Sequence, residues 1–106
     1  SKIHILGVSY KAGVGDIRES PALKIISRLG ELGADISYHD PHVPELKEAG
    51  LENTEDLDSA LEQADLVVLV TSHPEVDVDT VVKKSKSLLD LRGVTRDHKG
   101  AHVTRL

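Results

Sequence analysis

The sequence predicts an α/β protein of three layers, αβα, with a five-stranded parallel sheet between helices. Three observations carry that expectation. Residues 3–8, Ile-His-Ile-Leu-Gly-Val, are an apolar run too short for a helix. Residues 66–70, Leu-Val-Val-Leu-Val, are a second such run with three β-branched side chains, the pattern of a strand covered on both faces. Between the two runs, Ala22, Leu23, Ile25, Ile26, Leu29 and Leu32 recur at the period of a helix. Strands that alternate with helices imply right-handed crossovers and a parallel sheet.

Each element has its own local reason. Strand one, residues 3–8, leads into a loop over residues 9–18 that carries Gly13 and Gly15. Ser20-Pro21 then offers an N-cap and a first helical residue, and Gly33 sits where a glycine terminates a helix. Residues 35–39 read as a second strand closed by Asp40-Pro41, since proline cannot continue a ladder. Residues 42–53 read as loop, followed by a short helix capped at Asn53 or Thr54, with Leu57, Ala60, Leu61 and Ala64 on one face. The run 66–70 is expected at or near the centre of the sheet. A third helix over residues 76–85 turns Val78, Val81 and Val82 inward and ends on Lys83 and Lys84. Residues 87–91 and 101–105 complete the strands, the last of them short and at an edge.

At 106 residues the chain is one domain, 1–106. Its 39% hydrophobic and 29% charged residues suit a globular core. That core must come from Leu, Ile, Val and Ala, because the aromatic residues are Tyr10 and Tyr38 alone. A net charge of −5 argues against a nucleic-acid binder held by phosphate neutralisation. With no cysteine there is no thiolate chemistry and no disulfide. No apolar run reaches the roughly 18 residues of a membrane span, and the expected location is cytoplasmic.

Ligands of parallel α/β sheets collect outside the carboxyl ends of the strands. That rule selects residues 9–18, 40–43, 71–75 and 92–97. Lys11, Arg18 and Arg92 fall there, candidates for an anion site in an otherwise acidic chain. Arg18 also stands just before a helix N-terminus, which favours an anion too. The competing reading pairs Arg18 with Asp16 or Glu19 and leaves Lys11 solvated.

Other chemistries fare worse. Gly13-Val14-Gly15-Asp16-Ile17-Arg18 starts like the dinucleotide fingerprint G-x-G-x-x-G, but Arg18 replaces the third glycine and the loop is too long. No nucleotide-triphosphate phosphate loop is present. His39-Asp40-Pro41-His42 is insufficient for a metal site and reads as a strand-ending turn, so no metal is expected. Asp40 is read as shaping that turn. His4 reads as a core histidine and His73 as a loop residue on the ligand side, neither with a visible nucleophile. A phosphoacceptor receiver domain shares the layout but needs acids where strands one and three end in Gly7-Val8-Ser9 and Val70-Thr71-Ser72.

Leu6-Gly7-Val8-Ser9-Tyr10-Lys11, then Asp16-Ile17-Arg18-Glu19-Ser20-Pro21, then Asp40-Pro41-His42-Val43-Pro44 closely resemble the C-terminal, UDP-binding domain of the UDP-glucose/GDP-mannose dehydrogenase family. Ala64-Asp65, His73 and Asp90-Leu91-Arg92 extend the resemblance along the chain, and its wording is most similar to the branch acting on UDP-N-acetylglucosamine or UDP-N-acetylmannosamine. The resemblance implies a Rossmann-like sheet of order 3-2-1-4-5 and an NAD-dependent oxidation of a nucleotide sugar at C6 to a carboxylate. It implies that Tyr10, Lys11 and Arg92 contact the UDP-sugar and that Arg18 reaches the NAD of an N-terminal domain. It also implies that the catalytic cysteine, the NAD domain and a dimerising central helix belong to the rest of a longer, homodimeric protein. On that reading the chain holds no catalytic residue and is inactive alone, as an excised domain or a truncated product. The alternative is a stand-alone, non-catalytic nucleotide-binding or regulatory module.

Overall fold

The computed structural model describes residues 2–8, 21–46, 50–95, 100 and 102–105. β1 (Lys2–Leu6) is followed by α1 (Pro21–Glu31) and β2 (Asp35–His39). A small hairpin, β3 (Glu45–Leu46) and β4 (Leu51–Glu52), precedes α2 (Leu57–Gln63) and β5 (Leu66–Leu69). α3 (Val78–Lys84), β6 (Leu88–Asp90) and β7 (Val103–Arg105) complete the described elements.

The five long-range strands pair in the order β2-β1-β5-β6-β7, every neighbouring pair parallel. Counted along the chain this is 2-1-3-4-5, which corrects the expected 3-2-1-4-5. The reason lies in β5. An order of 3-2-1 would leave this apolar strand at an edge, whereas between β1 and β6 both its faces are covered. Val68 and Val70 pack with Ile3, Ile5 and the α1 residues Ala22 and Ile26 on one side of the sheet. Val67 and Leu69 pack with Leu61 of α2 and with Val81 and Val82 of α3 on the other. Reversing direction between β2 and β5 is what sends α1 and α2 to opposite faces, since each right-handed crossover fixes the side of its helix.

Helix α1 begins at Pro21, where a missing N–H costs nothing. It ends in a Schellman motif: Gly33, at φ 85°, donates to Gly30 O, and Ala34 N reaches back to Leu29 O. Leu32, expected on the inward face, lies past the last helical turn and is 82% exposed. The N-cap of α2 is Asp56, whose side chain accepts from Ser59 N. The expected caps do other work: Asn53 Oδ1 accepts from Asp40 N, and Thr54 N donates to Tyr38 O. Strands of two residues carry no period, so the sequence by itself reads as loop where this hairpin forms. The hairpin buries Leu46 against Tyr38 and Val43, worth roughly 1.5–3 kcal/mol for a fully buried leucine.

Candidate functional site

The order 2-1-3-4-5 places a topological switch between the carboxyl ends of β1 and β5, where doubly wound sheets open a crevice for ligands. The two strand ends are drawn tightly together. Leu6 O accepts from both Val70 N and Thr71 N. Gly7 follows at φ 80°, and a Cβ there would lie 2.1 Å from Thr71 O, so only glycine permits this approach.

One buried carboxylate gathers the crevice. Asp40, fully buried at the end of β2, accepts from Val8 N and His73 Nε2 through Oδ2 and from His42 N through Oδ1, each at 2.8 Å. It thereby fixes the exit of β1, the turn after β2 and the loop after β5 to a single point. His73 is also buried, 1% exposed, and stacks at a tilt on His42 with ring centroids 4.8 Å apart. The expectation that Asp40 shapes its turn holds, but its reach across the sheet is a long-range feature. Beneath it, the Tyr38 hydroxyl donates to Val43 O, and burial, then the charges of Asp40, Glu45 and Glu52, push its pKa up to about 12.

A second carboxylate organises a local turn three strands across the sheet from β2. Asp90, at the end of β6, accepts from the backbone N–H groups of Arg92, Gly93 and Thr95 and from the Thr95 hydroxyl. Burial alone would raise its pKa, but these hydrogen bonds outweigh it and hold the group below its ordinary value. The turn so formed presents Arg92 exposed at the carboxyl edge of the sheet. Tyr10, Lys11 and Arg18 lie outside the described residues, in the segment between Val8 and Pro21.

The histidines divide. His4 is buried in β1 with Nδ1 2.7 Å from Ser37 Oγ, and burial followed by the His39 charge lowers its pKa to about 4. His39 Nδ1 donates to Thr54 O, so His39 and His42 turn to different partners. Two clefts lie away from the carboxyl ends of the strands: one of about 530 Å³ between α1 and β2, and one of about 350 Å³ at the amino ends of β1 and β2, lined by Lys2, Asp35 and residues of α2.

Residues 4–97 match the model of the UDP-glucose/GDP-mannose dehydrogenase family, UDP binding domain. The chain belongs to this family. Within it, the chain is 32% identical to the UDP-N-acetyl-D-mannosamine dehydrogenase of Methanocaldococcus jannaschii, over 88% of this chain and 23% of that protein. It is 33% identical to the UDP-glucose 6-dehydrogenase of Rhizobium meliloti, over 91% of this chain and 24% of that protein. A solved structure of the UDP-N-acetyl-mannosamine dehydrogenase from Staphylococcus aureus superposes on 99% of this chain and 25% of its own, with TM-score 0.73 and 30% identity. The chain thus spans about a quarter of the length of these family members.

Proposed function

We propose that the chain is the UDP-sugar-binding domain of a longer, NAD-dependent nucleotide-sugar 6-dehydrogenase. The observation that carries this is the family match over residues 4–97, together with a sheet whose switch crevice is bounded by the segments bearing the motif residues. Tyr10 and Lys11 follow the end of β1, and Arg92 follows the end of β6. These strand ends are two spacings apart, about 10 Å, a span that a nucleoside diphosphate can bridge. Two cations then bind its diphosphate by charge-assisted hydrogen bonds, and the Tyr10 ring packs beside them. Arg18, which precedes α1 in the sequence, is the residue assigned to contact the NAD held by the rest of the protein.

Asp40, the described residue in the place of a dinucleotide fold's ribose-binding acid, does not fit NAD. In dinucleotide folds an acid near the end of the second strand hydrogen-bonds the ribose. Asp40 is in that place but fully buried, with its oxygens committed to Val8 N, His42 N and His73 Nε2. No catalytic step is assigned to this chain: it binds and orients the nucleotide, while the oxidising cofactor and the reacting residues belong to the N-terminal part of a longer homodimeric protein. Its compartment is the cytoplasm; among the described residues no helix is long and apolar enough to cross a membrane.

Calorimetry of the chain with UDP, UDP-N-acetylglucosamine and uridine tests the reading. The two diphosphates should bind more tightly than uridine, and Lys11→Ala or Arg92→Ala should each remove about 1–3 kcal/mol of that preference. Equal affinity for uridine and UDP would reject it.

A further inference from the structure

Outside the buried Asp40–His73 bond, a second contact joins the same two segments. His42, in the turn after β2, places Nε2 2.7 Å from Oε2 of Glu75, in the loop after β5. The strands that lead into these segments flank β1, so the contact spans the exit of β1. We propose that His42 and Glu75 form a charge-dependent clasp over that exit and act as positioning residues for the nucleotide, whose affinity rises when His42 is protonated. The inference rests on the reading of this edge as the UDP-sugar site and adds a proton-linked regulation to it.

The geometry calls for charge. The contact lacks the alignment of a hydrogen bond, and the buried Nε2 has no hydrogen-bond partner. A carboxylate oxygen 2.7 Å away opposes a bare lone pair on that nitrogen, so Nε2 carries a proton. In the neutral ring Glu75 meets only a misaligned N–H; in the imidazolium it meets a full positive charge. The side chains are 28% and 48% exposed, which keeps the attraction modest and the ring within reach of solvent protons.

The surroundings favour the charged ring. Among the described residues, the titratable groups facing His42 are Asp40 in its own turn and His73 and Glu75 from the loop after β5, two acids and one imidazole. An imidazole gains its charge between about pH 8 and 5, where carboxylates are largely ionised. The clasp therefore tightens as pH falls through that range.

Its effect reaches the nucleotide through the backbone. His42 N donates to Asp40 Oδ1, while Asp40 Oδ2 takes Val8 N and His73 Nε2. The His42 ring lies against His73, and Val76 N donates to His73 O, closing the loop that carries Glu75. Drawing Glu75 towards His42 thus pulls the two segments together on Val8. Tyr10 and Lys11 follow Val8 by two and three residues, so the start of the binding segment depends on how firmly Val8 is held. Residues 40–43 and 71–75 stood in the sequence as separate loops; the sheet order is what brings His42 onto Glu75.

The experiment is calorimetry of the chain with UDP-N-acetylglucosamine at about pH 5.5 and about pH 8, on either side of the imidazole range. This ligand is a diphosphate substituted at both ends and changes no charge of its own in that interval. Wild-type affinity should be about two- to fivefold higher at the lower pH, the worth of a partly exposed ion pair. Glu75→Gln and His42→Gln, each checked for folding by circular dichroism at both pH values, should lose that rise and approach the wild type at the higher pH. Glu62→Gln, which breaks the pair with Lys84 between α2 and α3, should keep it. A wild-type affinity that does not rise, or a rise retained in either Glu75→Gln or His42→Gln, would overturn the clasp and leave the site reading standing. No binding by the folded wild type at either pH would overturn both.

Discussion

His73 Nε2 lies 2.8 Å from Asp40 Oδ2, with both side chains out of contact with solvent. The two residues are 33 apart in sequence and leave different strands, so their bond closes the carboxyl edge of the sheet across β1. An ionised Asp40 requires the proton of the His73 ring on Nε2.

Asp40→Asn should therefore be costly. The amide presents a donor to at least one of three donors that now face a carboxylate, leaving a buried group unpaired. We expect a loss of about 3 kcal/mol in unfolding free energy by urea denaturation. A loss below about 0.5 kcal/mol would mean that the Asp40 bonds contribute little.

Two glycines should respond oppositely to alanine. At Gly7 the new methyl would collide with Thr71 O at a positive φ, and the cost should be about 3 kcal/mol or more. At Gly30, inside α1 with nothing within 4 Å, alanine should stabilise by about 0.5–1 kcal/mol. Thermal unfolding of the pair checks both signs.

The buried His4 makes stability depend on mild acid. Its pKa is lowered in the folded state to about 4, from 6.5, so the unfolded chain binds the extra proton first. The contribution is therefore complete above pH 6.5 and is lost as pH falls towards 4, on the order of 3 kcal/mol at most. His4→Leu combined with Ser37→Ala removes the group and its partner together. The slope of unfolding free energy between these two pH values should flatten in the double variant; an unchanged slope would assign the acid sensitivity elsewhere.

Asp90→Asn should loosen the turn that carries Arg92, at a cost of about 2–3 kcal/mol. Because the folded-state pKa is depressed, the wild-type contribution persists down to the ordinary carboxylate value of 3.8 and fades only below it. Amide exchange at Gly93 and Thr95 should accelerate in the variant; unchanged protection would show that the turn does not depend on the carboxylate.

Much of the frame was legible in the sequence because period and punctuation agree with the fold. Residues 35–39 form β2 as expected, Gly33 ends α1, and Val81 and Val82 turn inward. The apolar run in β5 demanded a central strand, and it is central. Strand order was not legible in the same way, since alternation of elements is common to several doubly wound orders; taken together with the demand of β5, however, it excludes an order that leaves that strand at an edge. Of the candidate site, the Arg92 turn was marked by Asp90-Leu91-Arg92. The Asp40–His73 bond was not visible, because nothing local announces a pairing between two loops that only the folded sheet brings together.

The central claim is that the carboxyl edge of this sheet receives the UDP group, and the most direct measurement is a map of backbone amide shifts in the isotopically labelled chain during titration with UDP. Perturbations should concentrate at Val8, at Thr71 to His73 and at Arg92 to Thr95, the described residues bordering the crevice between β1, β5 and β6. The absence of shifts at saturating UDP, or shifts confined to Leu23, Ile26 and Ile36 in the cleft between α1 and β2, would contradict it.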